Sequence, residues 1–137
     1  MVSRRAGVRL KLVPDFSSDT LRLLSDADEV QIETSRGSRP EPRRTTIWIV
    51  VDHDTVYVRS VRGSDGAWYR AIVKEPTARL VADGTLLDVR STSVADAHEI
   101  ERVSEAIRRK YNDRWPGPTA AMLRPEVLPT TLRLDPA

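Results

Sequence analysis

The chain has 137 residues, no cysteine, and 22 Lys or Arg against 20 Asp or Glu, for a net charge of +2. That length suits one domain with one core, and the missing cysteine excludes a disulfide framework, a thiol nucleophile and a thiolate metal site. No apolar run approaches the ~20 residues that span a bilayer. The basic opening is followed by Arg9 and Lys11 instead of a signal-peptide apolar stretch, so a soluble cytoplasmic protein is expected.

Residues 1–13 set Val8, Leu10 and Leu12 against Arg9 and Lys11, as a tail or an edge strand would, and Pro14-Asp15 ends them. We set residues 1–15 apart from a domain over 16–137. Ser17, Ser18 or Asp19 can cap a short helix carrying Leu21, Leu23 and Leu24. Val30, Ile32 and Thr34 alternate with polar neighbours and predict a half-buried strand over 29–35. A Gly- and Pro-containing loop over 36–42 then delivers Arg43, Arg44, Thr45 and Thr46 to the run Ile47-Trp48-Ile49-Val50-Val51, which reads as one strand buried on both faces.

Val56 and Val58 alternate with Tyr57 and Arg59, and the short Asp52-His53-Asp54 connection makes an antiparallel hairpin with the preceding run. A polar glycine turn over 61–66 leads into a short helix from Trp68 to Lys74, which Pro76 must stop. Asp83-Gly84 between Ala78-x-Leu80-x-Ala82 and the run from Leu86 or Leu87 to Val89 is the strongest hairpin signal in the chain. From Val94 to Asn112 the period becomes helical, with Ile100, Val103, Ile107 and Tyr111 on one stripe. Arg102, Glu105, Arg109 and Lys110 fall outside that stripe, Glu105 and Arg109 at pairing distance. Either Ser93 with Asp96 or Asp96 with Glu99 caps it, residues 112–118 end it, and a last strand is expected over 128–134. The sum is mainly β (α+β): six largely antiparallel strands with peripheral helices, a pattern that a small closed barrel and an open sheet both satisfy.

The chemistry concentrates in the middle of the chain. Residues 36–74 hold eight Lys or Arg and four Asp or Glu, so the excess positive charge is local. Gly-freed N–H groups, Ser60 or Ser64 and a helix start beside this charge favour an anion. Trp48 and Tyr57 sit at strand positions that suit core or interface, whereas Trp68, beside the glycine turn, suits ligand contact and packing equally. The lone histidines His53 and His98 suggest no metal site, and Ser60 and Ser64 lack an activating histidine. Nucleic acid is not an expected partner, because the seven aromatic residues fall mostly at core positions.

The order Arg44-Thr45-Thr46, Tyr57-Val58-Arg59-Ser60, a glycine turn, Trp68-Tyr69-Arg70-Ala71 and a hairpin resembles the split β-barrel proteins of the pyridoxamine-phosphate-oxidase and deazaflavin-dependent-nitroreductase group. With Ile47-Trp48, Lys110-Tyr111 and Thr131-Leu132-Arg133-Leu134 added, the chain resembles more closely an uncharacterised, mostly actinobacterial family of that fold, domain of unknown function 2255. The resemblance spans roughly residues 16–134. It implies a six-stranded split β-barrel, a homodimer, and a groove for a flavin-type nucleotide, flavin mononucleotide (FMN) or deazaflavin. Arg44, Thr45 and Thr46 would meet the phosphate, with Ser60, Arg62 and Gly63 on the opposite wall. Trp68 would lie beside the ring, and Arg70 or Lys74 would reach a phosphate or an acidic tail. Ile47 stands where deazaflavin enzymes usually carry proline, and the turn before Trp68 is shorter, which implies a narrower groove. Two functions follow: an oxidoreductase using hydride transfer from the bound cofactor, or a non-enzymatic cofactor- or anion-binding module.

Overall fold

The computed structural model describes residues 15–34 and 41–137. Of the expected N-terminal tail or edge strand over residues 1–15, all but Asp15 lies outside the described residues, as does most of the 36–42 loop. Among the described residues seven strands form one sheet, not six: β1 (Val30–Thr34), β2 (Arg43–Ile47), β3 (Val50–Asp52), β4 (Thr55–Val58), β5 (Thr77–Ala82), β6 (Thr85–Ser93) and β7 (Leu132–Pro136). All pairings are antiparallel, in the order β2-β1-β5-β6-β7-β4-β3. Helices α1 (Ser18–Asp26), α2 (Ala67–Lys74), α3 (Ala97–Tyr111) and α4 (Pro116–Met122) lie around it.

The extra strand comes from the run 47–51, which is two strands and not one. β2 ends at Ile47 on one edge of the sheet and β3 begins at Val50 on the other. Three peptide steps reach at most about 10 Å, so the sheet has to curl until its edges nearly meet. The result is a split barrel. Between the strands, Trp48 stacks on Tyr111 with centroids 3.8 Å apart and planes 8° from parallel. The Tyr111 hydroxyl accepts from Ile49 N–H at 3.2 Å and donates to the Asp28 carbonyl at 2.7 Å. Lys110 Nζ donates to the carbonyls of Ile49 at 2.7 Å and Leu24 at 3.2 Å. Side chains of α3 therefore take the backbone groups that a continuous strand would give to a neighbour.

Lys110 is accordingly half-buried instead of lying on the solvent face, and burial lowers its ammonium pKa to about 8. Burial raises that of the Tyr111 phenol to about 12. Glu105 pairs with Arg108, not with Arg109.

The remaining elements follow local chemistry. Ser17 caps α1, its hydroxyl accepting from Thr20 N–H at 3.1 Å, and Asp96 caps α3, accepting from Glu99 N–H at 2.8 Å. Asp83 and Gly84 have φ of 48° and 80°, the two positive angles of a tight hairpin turn, and His53 and Asp54, at 49° and 64°, repeat that geometry. β6 extends to Ser93 because its second half pairs with β7, whose own start slips to Leu132 behind a 3₁₀ turn at Leu128–Thr130. α4 was not expected in the proline-rich stretch; Pro116 occupies its first turn, where no N–H is needed.

One apolar cluster gathers the barrel strands with Leu24 of α1 and Trp68 and Ile72 of α2. The other lies between α3, α4 and the hairpin β3–β4, and contains Tyr57, Val103, Ile107, Tyr111 and Met122.

Candidate functional site

A groove of about 630 Å³ opens beside β2, the exit of β4 and the start of α2, within the range of about 300–1,000 Å³ usual for small-molecule sites. One wall is Arg43, Thr45, Thr46 and Ile47 on edge strand β2. Facing it are Arg59, Ser60, Val61 and Arg62, then Gly66, Ala67 and Trp68. Trp48, Trp115, Pro118 and Met122 form an apolar end, and Asp28 and Glu29 stand at the rim.

The turn after β4 is built by close approach. Ser60 N–H donates to Thr130 Oγ1 at 3.0 Å, and its hydroxyl donates to the Gly63 carbonyl at 2.7 Å. Gly63 N–H returns to Ser60 O at 2.9 Å, and Gly66 N–H to Gly63 O at 3.2 Å. Gly63 has φ of 67°, which favours glycine, and a Cβ there would meet the Glu126 carbonyl oxygen at 3.3 Å. A Cβ on Gly66 would lie 2.4 Å from Ser60 Oγ. The two glycine N–H groups are thus consumed within the turn. The N–H groups of the first turn of α2 are different: no side chain caps that helix, and Gly66, Ala67 and Trp68 border the groove.

Of the residues expected at a cofactor site, Thr45, Thr46, Ser60, Arg62 and Trp68 come together around this groove. Ser60 is 1% exposed and committed to the turn, and Trp68 is 6% exposed, most of its ring packed in the barrel cluster. Arg44, Gly63, Arg70 and Lys74 do not line the groove. Arg44 stands opposite Glu33 in the β1–β2 register, and its Nε donates to Glu33 Oε2 at 2.7 Å. Arg70 and Lys74 are exposed along α2, and Gly63 is buried beneath the turn.

Arg43 belongs to the local positive cluster but was not among the expected cofactor contacts, and neither were Arg59 and the aromatic end. Strand alternation was the available signal for Arg43, since Arg43, Thr45 and Ile47 share a face by the period of two. Trp48, Tyr111 and Trp115 form a cluster, with Trp115 tilted at 6.1 Å and 6.2 Å from the other two rings and Arg114 over its face at 4.3 Å. Arg114 also grips Asp28 through two bonds of 2.6 Å and 3.0 Å, which holds the Asp28 carboxyl below its usual pKa. Nothing in the local sequence pattern joins positions so far apart. Among the described residues no group of three or more His, Asp or Glu is placed to hold a metal ion, and no helix is long and apolar enough to cross a membrane.

A curled seven-stranded antiparallel sheet with its groove at the open seam defines a split β-barrel protein. The chain belongs to the family of uncharacterized proteins conserved in bacteria, DUF2255, whose pattern matches residues 20–134. A search of curated proteins finds no match. Solved structures share the fold at low identity. A putative pyridoxamine 5'-phosphate oxidase from Listeria innocua superposes with a TM-score of 0.58 at 13% identity, over 87% of this chain and 90% of that one. The heme storage protein HutZ from Vibrio cholerae gives 0.61 at 12%, over 87% and 88%. An F420-H2 dependent reductase, FDR-A, gives 0.58 at 13%, over 79% and 94%.

Proposed function

We propose that the groove binds a flavin-type nucleotide, FMN or a deazaflavin. One observation carries this reading: a single cleft joins a cationic, hydroxyl-bearing end to a flat aromatic end. Arg43, Arg62, Thr45 and the uncapped start of α2 suit a phosphate. Trp48, Trp115 and Met122 suit a planar heterocycle. The donor set and the volume fit such a ligand, and similarity in fold to FDR-A and to a putative pyridoxamine 5'-phosphate oxidase supports the choice. When bound, a flavin or deazaflavin supplies two-electron hydride chemistry itself. The chain would hold the phosphate, orient the ring and exclude water from one face.

This reading includes a homodimer, supported by Val61 and Trp115, two exposed large apolar side chains that both line the groove. A non-enzymatic binding module is the second reading. It is favoured by one observation: the Asp28 carboxylate at the groove rim is already engaged by Arg114.

Equilibrium titration with FMN, a deazaflavin phosphate and riboflavin, followed by fluorescence, tests the site. A phosphorylated ligand should bind at least about tenfold tighter than riboflavin, as a charge-assisted hydrogen bond predicts. Absence of binding to all three refutes the cofactor reading. Binding without reduction of any acceptor by the reduced cofactor selects the non-enzymatic module. Sedimentation of the purified chain checks the dimer.

A further inference from the structure

Among the described residues Arg59 is the largest fully buried side chain, 1% exposed. Its Nε donates to Thr131 Oγ1 at 2.8 Å, Nη1 to the Met122 carbonyl at 3.2 Å and Nη2 to the Ile100 carbonyl at 2.9 Å. All three acceptors are neutral. A guanidinium has five N–H donors, so one on each terminal nitrogen has no protein acceptor among the described residues. No carboxylate of the described residues lies within ion-pair distance of it; the Glu101 carboxylate favours its charge from farther off, and the Arg108 guanidinium opposes it. Guanidinium groups taken out of water ordinarily sit against carboxylates, because neutral dipoles replace hydration incompletely.

Arg59 also lines the groove. The lining carries Arg43, Arg59 and Arg62 against Asp28 and Glu29, and Asp28 is already held by Arg114. Positive charge in the cleft therefore exceeds negative, and its most deeply buried part is Arg59. The uncapped first turn of α2 adds partial positive charge on the same side.

We propose that Arg59 is a specificity-determining residue of the groove, a buried guanidinium whose counter-charge is an anionic group of the ligand, a phosphate or diphosphate. The inference rests on reading this groove as the ligand site. Its three bonds fix the guanidinium to α3, to the end of α4 and to the entry of β7 before any ligand arrives, so the anion meets a preorganised donor. An anionic ligand completes the pairing that the protein leaves open, and a neutral analogue leaves it open still.

Inorganic pyrophosphate is the probe, added to the full chain with chloride controls at matched ionic strength. Pyrophosphate should raise the melting temperature of the wild type and shift the Arg59 Nε–H resonance. Arg59→Met fills similar volume without the charge and should bind pyrophosphate about tenfold more weakly or worse, the factor expected for a charge-assisted contact. A folded Arg59→Met variant with wild-type pyrophosphate affinity overturns the proposal. Where that variant does not fold, the wild-type resonance decides: no movement at saturating pyrophosphate, or no binding at all, overturns it. Pyrophosphate binding at Arg59 without FMN binding retains the inference and removes the cofactor. FMN and riboflavin binding alike, with the Arg59 resonance unmoved, does the reverse.

Discussion

Gly66 is the tightest point of the site, and Gly66→Ala tests it. The added Cβ would lie 2.4 Å from Ser60 Oγ, so the hydroxyl must swing off the Gly63 carbonyl, to which it now donates at 2.7 Å. Losing that bond and stranding a buried hydroxyl costs about 2 kcal/mol. Ser60→Ala alone removes the same hydroxyl without stranding it. Gly63 O keeps its Gly66 N–H donor at 3.2 Å, so the expected loss is about 1 kcal/mol. In the double variant the new methyl meets Ser60 Cβ's position at 3.6 Å and Gly63 O at 3.5 Å, both ordinary contacts. The poorer cap that Ala makes and the lower entropy of its unfolded chain roughly cancel. The double variant should therefore be down about 1 kcal/mol and not about 3, a coupling of about 2 kcal/mol. Urea unfolding of the four proteins measures it, with unchanged slopes confirming a common unfolding reaction. Additive losses, within about 0.5 kcal/mol, would refute the claim that Ser60 and Gly66 are locked by contact.

Arg43→Ala should weaken FMN binding about tenfold or more, whereas Arg44→Ala should leave it unchanged and lower stability by about 1 kcal/mol, since Arg44 is 56% exposed but its partner Glu33 only 15%; fluorescence titration and urea unfolding separate the two. The ammonium of Lys110 has its pKa lowered to about 8 in the folded chain, so the unfolded chain binds more protons above that value. Stability should rise from pH 8 towards pH 10, then meet the opposing demand of Tyr111, whose raised pKa favours the folded state below 10 and loses that contribution as pH climbs towards 12. Lys110→Met should flatten the rise between pH 8 and 10 in a series of urea midpoints, and a rise that persists in the variant excludes Lys110 as its source. Replacing His53-Asp54 by Asn-Gly relieves two positive-φ non-glycine positions and should add about 1 kcal/mol, read as a higher melting temperature.

Where chemistry is local, the sequence was enough. Asp83-Gly84 made its hairpin, Ser17 and Asp96 capped their helices, and Pro76 followed the end of α2, because each signal acts over three or four residues. The run 47–51 misled because hydrophobicity reports burial, and Ile47 and Val50 are both buried while belonging to opposite edges of the sheet. Lys110 and Tyr111, some sixty positions away, hold the Ile49 backbone between the two strands. The site divides the same way. Thr45, Thr46, Ser60, Arg62 and Trp68 were legible because they flank one strand start and one turn. Choosing Arg43 over Arg44 needed the strand's register, and Trp115 needed a helix hidden behind Trp-Pro. The weight of Arg59 needed three acceptors from distant elements, Ile100, Met122 and Thr131.

The strand order also sets a folding sequence. β7 is the last strand along the chain, yet it lies between β6 and β4 and pairs Val58 with Leu132, 74 positions later. Until it arrives, β2-β1-β5-β6 and the hairpin β3–β4 share no backbone ladder. Closing so long a loop before any of its contacts form is slow. The two halves should assemble early and wait with the edges of β4 and β6 open, which is when this protein is most prone to pair with the wrong partner. Insertion of residues 132–136 ends that exposure in one step.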